Sequence, residues 1–364
     1  MRSRSKRGFL LESASFILLA TVLAAMAVGQ DVASPRTKFP TETSPYLTPQ
    51  RLIRVGEGRT INLICIGNGS PTVILTAGSG SWAIVWRSVQ PSLASRTRVC
   101  AWDPAGFGFS SPSPDPQDAV HLTKDLEQTL KGAGIKGPYL MVAHSAGAFI
   151  ALRFADRHPK SVVGMVLVDP AIPEQDAVMR RVAPKFATRV DGLRSAQTES
   201  LRHCAAELRS GSLKRGTQEF NECTTAPSLP AAFSALEAAL SGLNADPARL
   251  LTEASSLDNF LESQHEAINP QRRYGDMPLM VLTAERRDMP SDTPAEERKQ
   301  GTLFYREAGL AHDAYAALST RGHDQLVPDS GHNIPVEKPE VVVAVINHVL
   351  AECKPRTVEP GRMD

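Results

Sequence analysis

Short apolar runs rich in β-branched residues alternate along the chain with stretches of helical period. The runs Ile61 to Ile66, Thr72 to Thr76, Arg98 to Trp102, Tyr139 to Ala143, Val162 to Val168, Leu279 to Thr283 and Asp324 to Val327 predict strands. Strand and helix in alternation is the signature of an α/β fold, a mostly parallel sheet with helices on both faces. The stretch Ala146 to Asp156 is apolar nearly all round (Ala148, Phe149, Ile150, Leu152, Phe154) and stops at His158-Pro159, so it predicts a helix buried against the sheet. A last helix starts at Pro339 and carries Val342, Val343, Val345, Ile346, Val349 and Leu350 as the face that closes the core.

Between Pro170 and about Arg272 the strands vanish and charges rise. Residues 171–271 are expected to form a helical lid inserted into a core made of residues 51–170 and 272–353. Within it, Ala232 to Leu243 shows a stripe of Phe233, Leu236, Leu240 and Leu243. The stripe predicts packing of lid on core, with direct substrate contact as the alternative. Residues 28–50, rich in Ser, Thr and Pro without period, read as a linker or surface arm, and residues 354–364 as a tail.

The N-terminus changes the reading of charge. A basic stretch, Arg2 to Arg7, precedes the apolar run Phe16 to Val28, and Ala25-Met26-Ala27 gives a small-x-small cleavage pattern. Residues 1–27 are therefore expected to be a signal peptide, and the protein exported, periplasmic or secreted, with no stable membrane anchor once it is cleaved. An uncleaved anchor is the alternative, although a span needs about 20 apolar residues. The whole chain of 364 residues carries 40 Lys+Arg against 39 Asp+Glu, a net +1; losing the signal's four basic residues and one acid leaves −2. That balance argues against a nucleic-acid partner. Hydrophobic residues at 42% allow a sizeable core and exclude a disordered chain.

Export would let cysteines pair. Cys65 and Cys100 fall in strands expected to be neighbours, Cys204 and Cys223 lie 19 apart in the helical region, and Cys353 is left over. Two disulfides are the expectation, five separate buried thiols the alternative.

Three motifs carry chemistry. The strand Tyr139 to Val142 runs into Ala143-His144-Ser145-Ala146-Gly147 and then directly into a helix, which puts Ser145 at the apex of a sharp turn with its hydroxyl exposed. Upstream, the strand ending at Thr76 feeds the loop Ala77-Gly78-Ser79-Gly80, and downstream Asp329-Ser330-Gly331-His332 follows a short strand and precedes the closing helix. These motifs, with Val99 to Ser110 and Val166-Leu167-Val168-Asp169-Pro170, make residues 51–352 resemble the α/β-hydrolase superfamily, most of all secreted or periplasmic bacterial serine hydrolases with a helical lid. Ala143, Ala77 and Pro104 depart from that pattern, where relatives often carry Gly, His-Gly before the oxyanion loop, and Asp-Arg.

A serine hydroxyl needs a base, and His332 is the candidate, with the N–H groups of Ala146 and Ser79 as an oxyanion hole. His144 is expected to point into the core. The acid that orients His332 has two candidates: Asp169, favoured by the resemblance of Val166 to Pro170 to the secreted group, and Asp288, which follows the strand where most relatives carry the acid. Asp103 reads as loop support. No phosphate loop, paired-Cys metal spacing or dinucleotide fingerprint occurs, so neither cofactor nor metal is expected. The resemblance implies a serine hydrolase acting on a small-molecule ester through an acyl-enzyme. A peptidase or aminopeptidase, or a haloperoxidase-like member of the same fold, is the alternative within enzymes; an exported, non-catalytic binding protein of the fold is the alternative outside them.

Overall fold

Strand side chains alternate between two faces, and in this chain both faces are apolar, so the strands must be covered twice. A computed structural model describes residues 44–224, 234–287 and 289–353. The expected signal, the tail, most of the arm, Phe233 and Asp288 lie outside the described residues.

The strands are β1 (Arg51–Arg54), β2 (Thr60–Ile66), β3 (Thr72–Thr76), β4 (Val99–Trp102), β5 (Tyr139–His144), β6 (Val162–Val168), β7 (Leu279–Ala284) and β8 (Gly322–Val327). They form one 8-stranded sheet in the order β1-β2-β4-β3-β5-β6-β7-β8. β1 with β2 and β2 with β4 are antiparallel and every other pair is parallel. The parallel part needs crossover helices, and these are the helical stretches between the strands. β1 is a short, mostly exposed edge strand that the apolar pattern did not mark.

The helices are α1 (Gln90–Leu93), α2 (Ala119–Gly132), α3 (Gly147–Arg157), α4 (Gln175–Val182), α5 (Pro184–Ser210), α6 (Gln218–Thr224), α7 (Ser234–Asn244), α8 (Pro247–Asp258), α9 (Phe260–Glu266), α10 (Ala295–Ala316), α11 (Ile334–Glu337) and α12 (Pro339–Glu352). One face of the sheet, with Val73, Leu75, Leu140, Val142, Val166 and Val168, packs on Trp86, Leu93 and the α12 side chains Val342, Ile346 and Val349. The other, with Ile74, Met141, Met165 and Leu167, packs on α2, α3 and α10 through Leu126, Leu130, Ile150, Phe154 and Tyr315. Fully burying each such side chain is worth about 1.5–3 kcal/mol. α3 is apolar all round because Ile150 and Phe154 meet the sheet while Phe149 turns to Phe260 of α9, 6.2 Å away.

α4 to α9 lie between β6 and β7, so the sheet is interrupted in sequence by helices alone among the described residues. Leu236 and Leu240 of α7 join the core cluster, whereas Leu243 is 37% exposed and leaves the expected stripe. The helices are fastened to the core by polar contacts as well. Arg153 of α3 donates to the Glu266 carbonyl at 2.8 Å, and the Glu266 side chain accepts the N–H of Val120 at the start of α2.

Cys65 and Cys100, directly opposite each other on β2 and β4, are disulfide-bonded, as are Cys204 of α5 and Cys223 of α6. Cys353 is a free thiol against Val163 O, its pKa pushed up to about 11 by burial. Among the described residues no helix is long and apolar enough to cross a membrane.

Candidate active site

Strands β3, β5, β6 and β8 end on the same edge of the sheet, and the loops leaving them meet there, the usual location for ligands in parallel α/β sheets. β5 passes into α3 through Ser145, whose φ of 52° lies in the left-handed region. A non-glycine residue there costs about 1–3 kcal/mol and is held only by its surroundings. Those surroundings are close: a Cβ on Gly147 would sit 2.6 Å from Ala77 O, and one on Gly78 would sit 2.8 Å from the Ser145 Cβ. Only glycine lets the turn, the β3 loop and the first turn of α3 approach this closely. Ala143, where relatives often have Gly, is fully buried in β5.

The structure brings Ser145, His332 and Asp169 together from positions far apart in the chain. The Ser145 hydroxyl donates to His332 Nε2 at 3.0 Å, and His332 Nδ1–H donates to Asp169 Oδ2 at 2.6 Å. An ionised carboxylate at Nδ1 accepts only, so the ring proton resides there and Nε2 keeps its lone pair for the serine. Asp169 is 3% exposed and sits just after β6, with a φ of 39°. Burial alone would raise its pKa. The hydrogen bond from His332 and the charges of His332 and Arg287 outweigh that and hold it below the usual carboxylate range.

His144 lies beside the pair, its ring centroid 4.7 Å from that of His332. Its Nε2–H donates to the His332 carbonyl at 2.9 Å. Burial, with the neighbouring His332 charge, pushes its pKa down to about 3, so it is neutral across the physiological range. It braces the His332 backbone rather than accepting a proton.

Neither the Ser79 N–H nor the Ala146 N–H donates to an acceptor among the described residues. Both residues line a small, partly open pocket. Its walls are largely apolar, with Phe107, Leu122, Phe149, Ile150 and Phe260 among them, and α8 and α9 contribute Ser256, Phe260 and Ser263. Ser145 and His332 stand at its side and do not line it.

Asp103 does not join the serine and histidine. Its buried carboxylate accepts the Asn62 amide at 2.8 Å and the N–H groups of Ala83 at 3.1 Å and Phe109 at 3.0 Å, while burial pushes its pKa up to about 6. Pro104 leaves no arginine beside it in sequence. Arg249 of α8 supplies one instead, donating to Gly108 O at 2.8 Å and Ser110 O at 2.7 Å. No sequence signal pointed to Arg249, because its partners are carbonyls that any residue carries. Asp103→Ala should strand three donors and lower stability by about 2–4 kcal/mol, read from a urea unfolding midpoint; an unchanged midpoint would show that the loop does not depend on this carboxylate.

Arg287 and His312 also went unmarked. Arg287 pairs with Asp169, and His312 Nε2–H donates to Pro170 O at 2.8 Å, fixing the turn that carries the acid. Among the described residues no group of His, Cys, Asp and Glu is arranged to hold a metal ion.

Comparison with known proteins agrees with this architecture. The profile of the alpha/beta hydrolase fold family matches residues 71–285. The uncharacterised protein YqjL of Bacillus subtilis is 35% identical over 106 residues, 29% of this chain and 42% of its own length. An AB hydrolase superfamily protein of Gibberella zeae is 30% identical over 135 residues, 36% of this chain and 42% of its own. The match thus spans less than half the length of either relative. Among solved structures, the haloalkane dehalogenase DatA of Agrobacterium tumefaciens superposes with a TM-score of 0.57 over 84% of this chain and 96% of its own. At 16% identity that likeness concerns the fold alone.

Proposed function

Because the chain belongs to the alpha/beta hydrolase fold family, we propose that it is a serine hydrolase that cleaves a small ester through an acyl-enzyme, with Ser145, His332 and Asp169 as its triad. The observation that carries this reading is the continuous relay Ser145 Oγ, His332 Nε2, His332 Nδ1, Asp169 Oδ2, with steps of 3.0 and 2.6 Å. His332 removes the hydroxyl proton as Ser145 Oγ bonds to the ester carbonyl carbon. The carbonyl electron pair moves onto oxygen, where the N–H groups of Ser79 and Ala146 receive it, each worth about 3 kcal/mol. Collapse expels the alcohol, which takes the proton from His332. A water activated by the same base then releases the acid and restores Ser145.

A serine at the turn suits acyl transfer, whereas an Asp there would suit displacement at carbon. The apolar cavity beside Ser79 and Ala146 favours an apolar substituent on the substrate. The helices α4 to α9 act in this reading as a lid, since α8 and α9 wall that cavity. Export fits two disulfides, which need an oxidising compartment to persist.

Exposure to a fluorophosphonate should attach one label, on Ser145, and stop ester hydrolysis in proportion to labelling. A folded protein that takes no label would overturn the assignment.

A further inference from the structure

The acid of this relay carries more positive charge than orienting one histidine requires. Asp169 has two oxygens that receive four contacts from three donors. Oδ2 accepts from His332, Oδ1 accepts the N–H of Ala284 at 2.9 Å, and the Arg287 Nη1 donates to both, at 2.9 Å to Oδ1 and 2.8 Å to Oδ2. Arg287 itself is well held. Its guanidinium carbon lies 5.2 Å from the ring centroid of Tyr305 on α10, and its side chain is 17% exposed. Its neighbour Arg286 is engaged elsewhere, with Glu337 and the Asp329 carbonyl, so the two arginines are not interchangeable.

We propose that Arg287 is a positioning residue of this site, which pins both oxygens of Asp169, partly cancels the carboxylate's charge at His332, and so sets how far into acid the hydrolase keeps working. The inference rests on the triad reading above. An Asp that faces histidine alone lends its full negative charge to the protonated ring and favours it. Sharing that carboxylate with a guanidinium weakens the support, so removing the guanidinium should strengthen it. The other titratable groups that face Asp169 are His312, on α10, and His144, at the end of β5. Burial lowers the pKa of both, so neither replaces the arginine's charge. Arg287 contacts the relay through Asp169.

The test is a kcat/KM profile against pH, on a short p-nitrophenyl ester, for wild type, Arg287→Gln, Arg287→Lys and Ser145→Ala. In Arg287→Gln the acid limb should move to higher pH by about one unit, with kcat reduced and KM little altered. Lys keeps the charge and loses the planar fork, so the limb should return close to the wild-type position while kcat recovers only in part. Arg287→Met, whose chain can still pack on Tyr305, repeats the charge removal if the Gln variant fails to fold. A limb that stays in place in the Gln and Met variants, whatever happens to kcat, would overturn the proposal and leave Arg287 a structural residue. Undiminished turnover in Ser145→Ala would overturn the triad reading itself, a distinct outcome.

Discussion

Ser145→Ala should lower the turnover of short p-nitrophenyl esters by at least ~10⁴-fold without unfolding the protein. The size follows from what is removed. The hydroxyl is the atom that bonds to carbon, and without it only the Ser79 and Ala146 donors and the apolar cavity remain to assist attack by water. The fold should survive because the turn is held by its backbone: Ser145 N–H donates to Val168 O, and the Ser145 carbonyl accepts from Ala148 and Ala171. Steady-state kinetics with a matched unfolding curve would check both halves. Equal turnover in mutant and wild type would overturn the triad reading, whereas no turnover in either would favour an exported binding protein of this fold.

Asp169→Asn should cost about 10⁴-fold in kcat with KM little changed, comparable to losing the orienting carboxylate in other triads. Here the local geometry predicts how the amide would settle. Its one oxygen is drawn to the Ala284 N–H and the Arg287 guanidinium at the Oδ1 position, which leaves the amide NH₂ facing His332 Nδ1. A donor at Nδ1 forces the ring proton onto Nε2 and removes the acceptor that Ser145 needs. Full activity in this variant, with a large loss in Asp288→Asn, would transfer the acid role to Asp288. That residue lies outside the described residues, so only kinetics distinguishes it.

Several features of the site were legible because they are local. The strand, the turn and the apolar helix around Ser145 stand within one short stretch of sequence, and the small residues at 143 and 147 announce a close approach that the Gly147 contact with Ala77 makes concrete. Cys65 and Cys100 fell on two runs of clear strand character, and the antiparallel pairing of β2 with β4 sets them opposite one another. The stripe on α7 was legible only in part. Leu236 and Leu240 turn inward, but Leu243 stands near the end of the helix and is 37% exposed. The edge strand β1 went unmarked because only Ile53 of its four residues is buried, which leaves no alternation to detect.

The sequence by itself determined the class of fold and the order of its parts. Apolar period is a local property, and both faces of these strands demanded cover. It also singled out Ser145 and His332, since each sits in a motif whose neighbours constrain it. What only the tertiary structure decided is which charges meet. Asp169 and Arg287 are separated by the whole helical insertion, and they come together because β6 and β7 are adjacent and parallel. Arg249 reaches the loop after β4 for the same kind of reason, bonding to carbonyls of Gly108 and Ser110 that have no signature in sequence. Charge acts through space, so its partners are set by strand order and not by spacing along the chain.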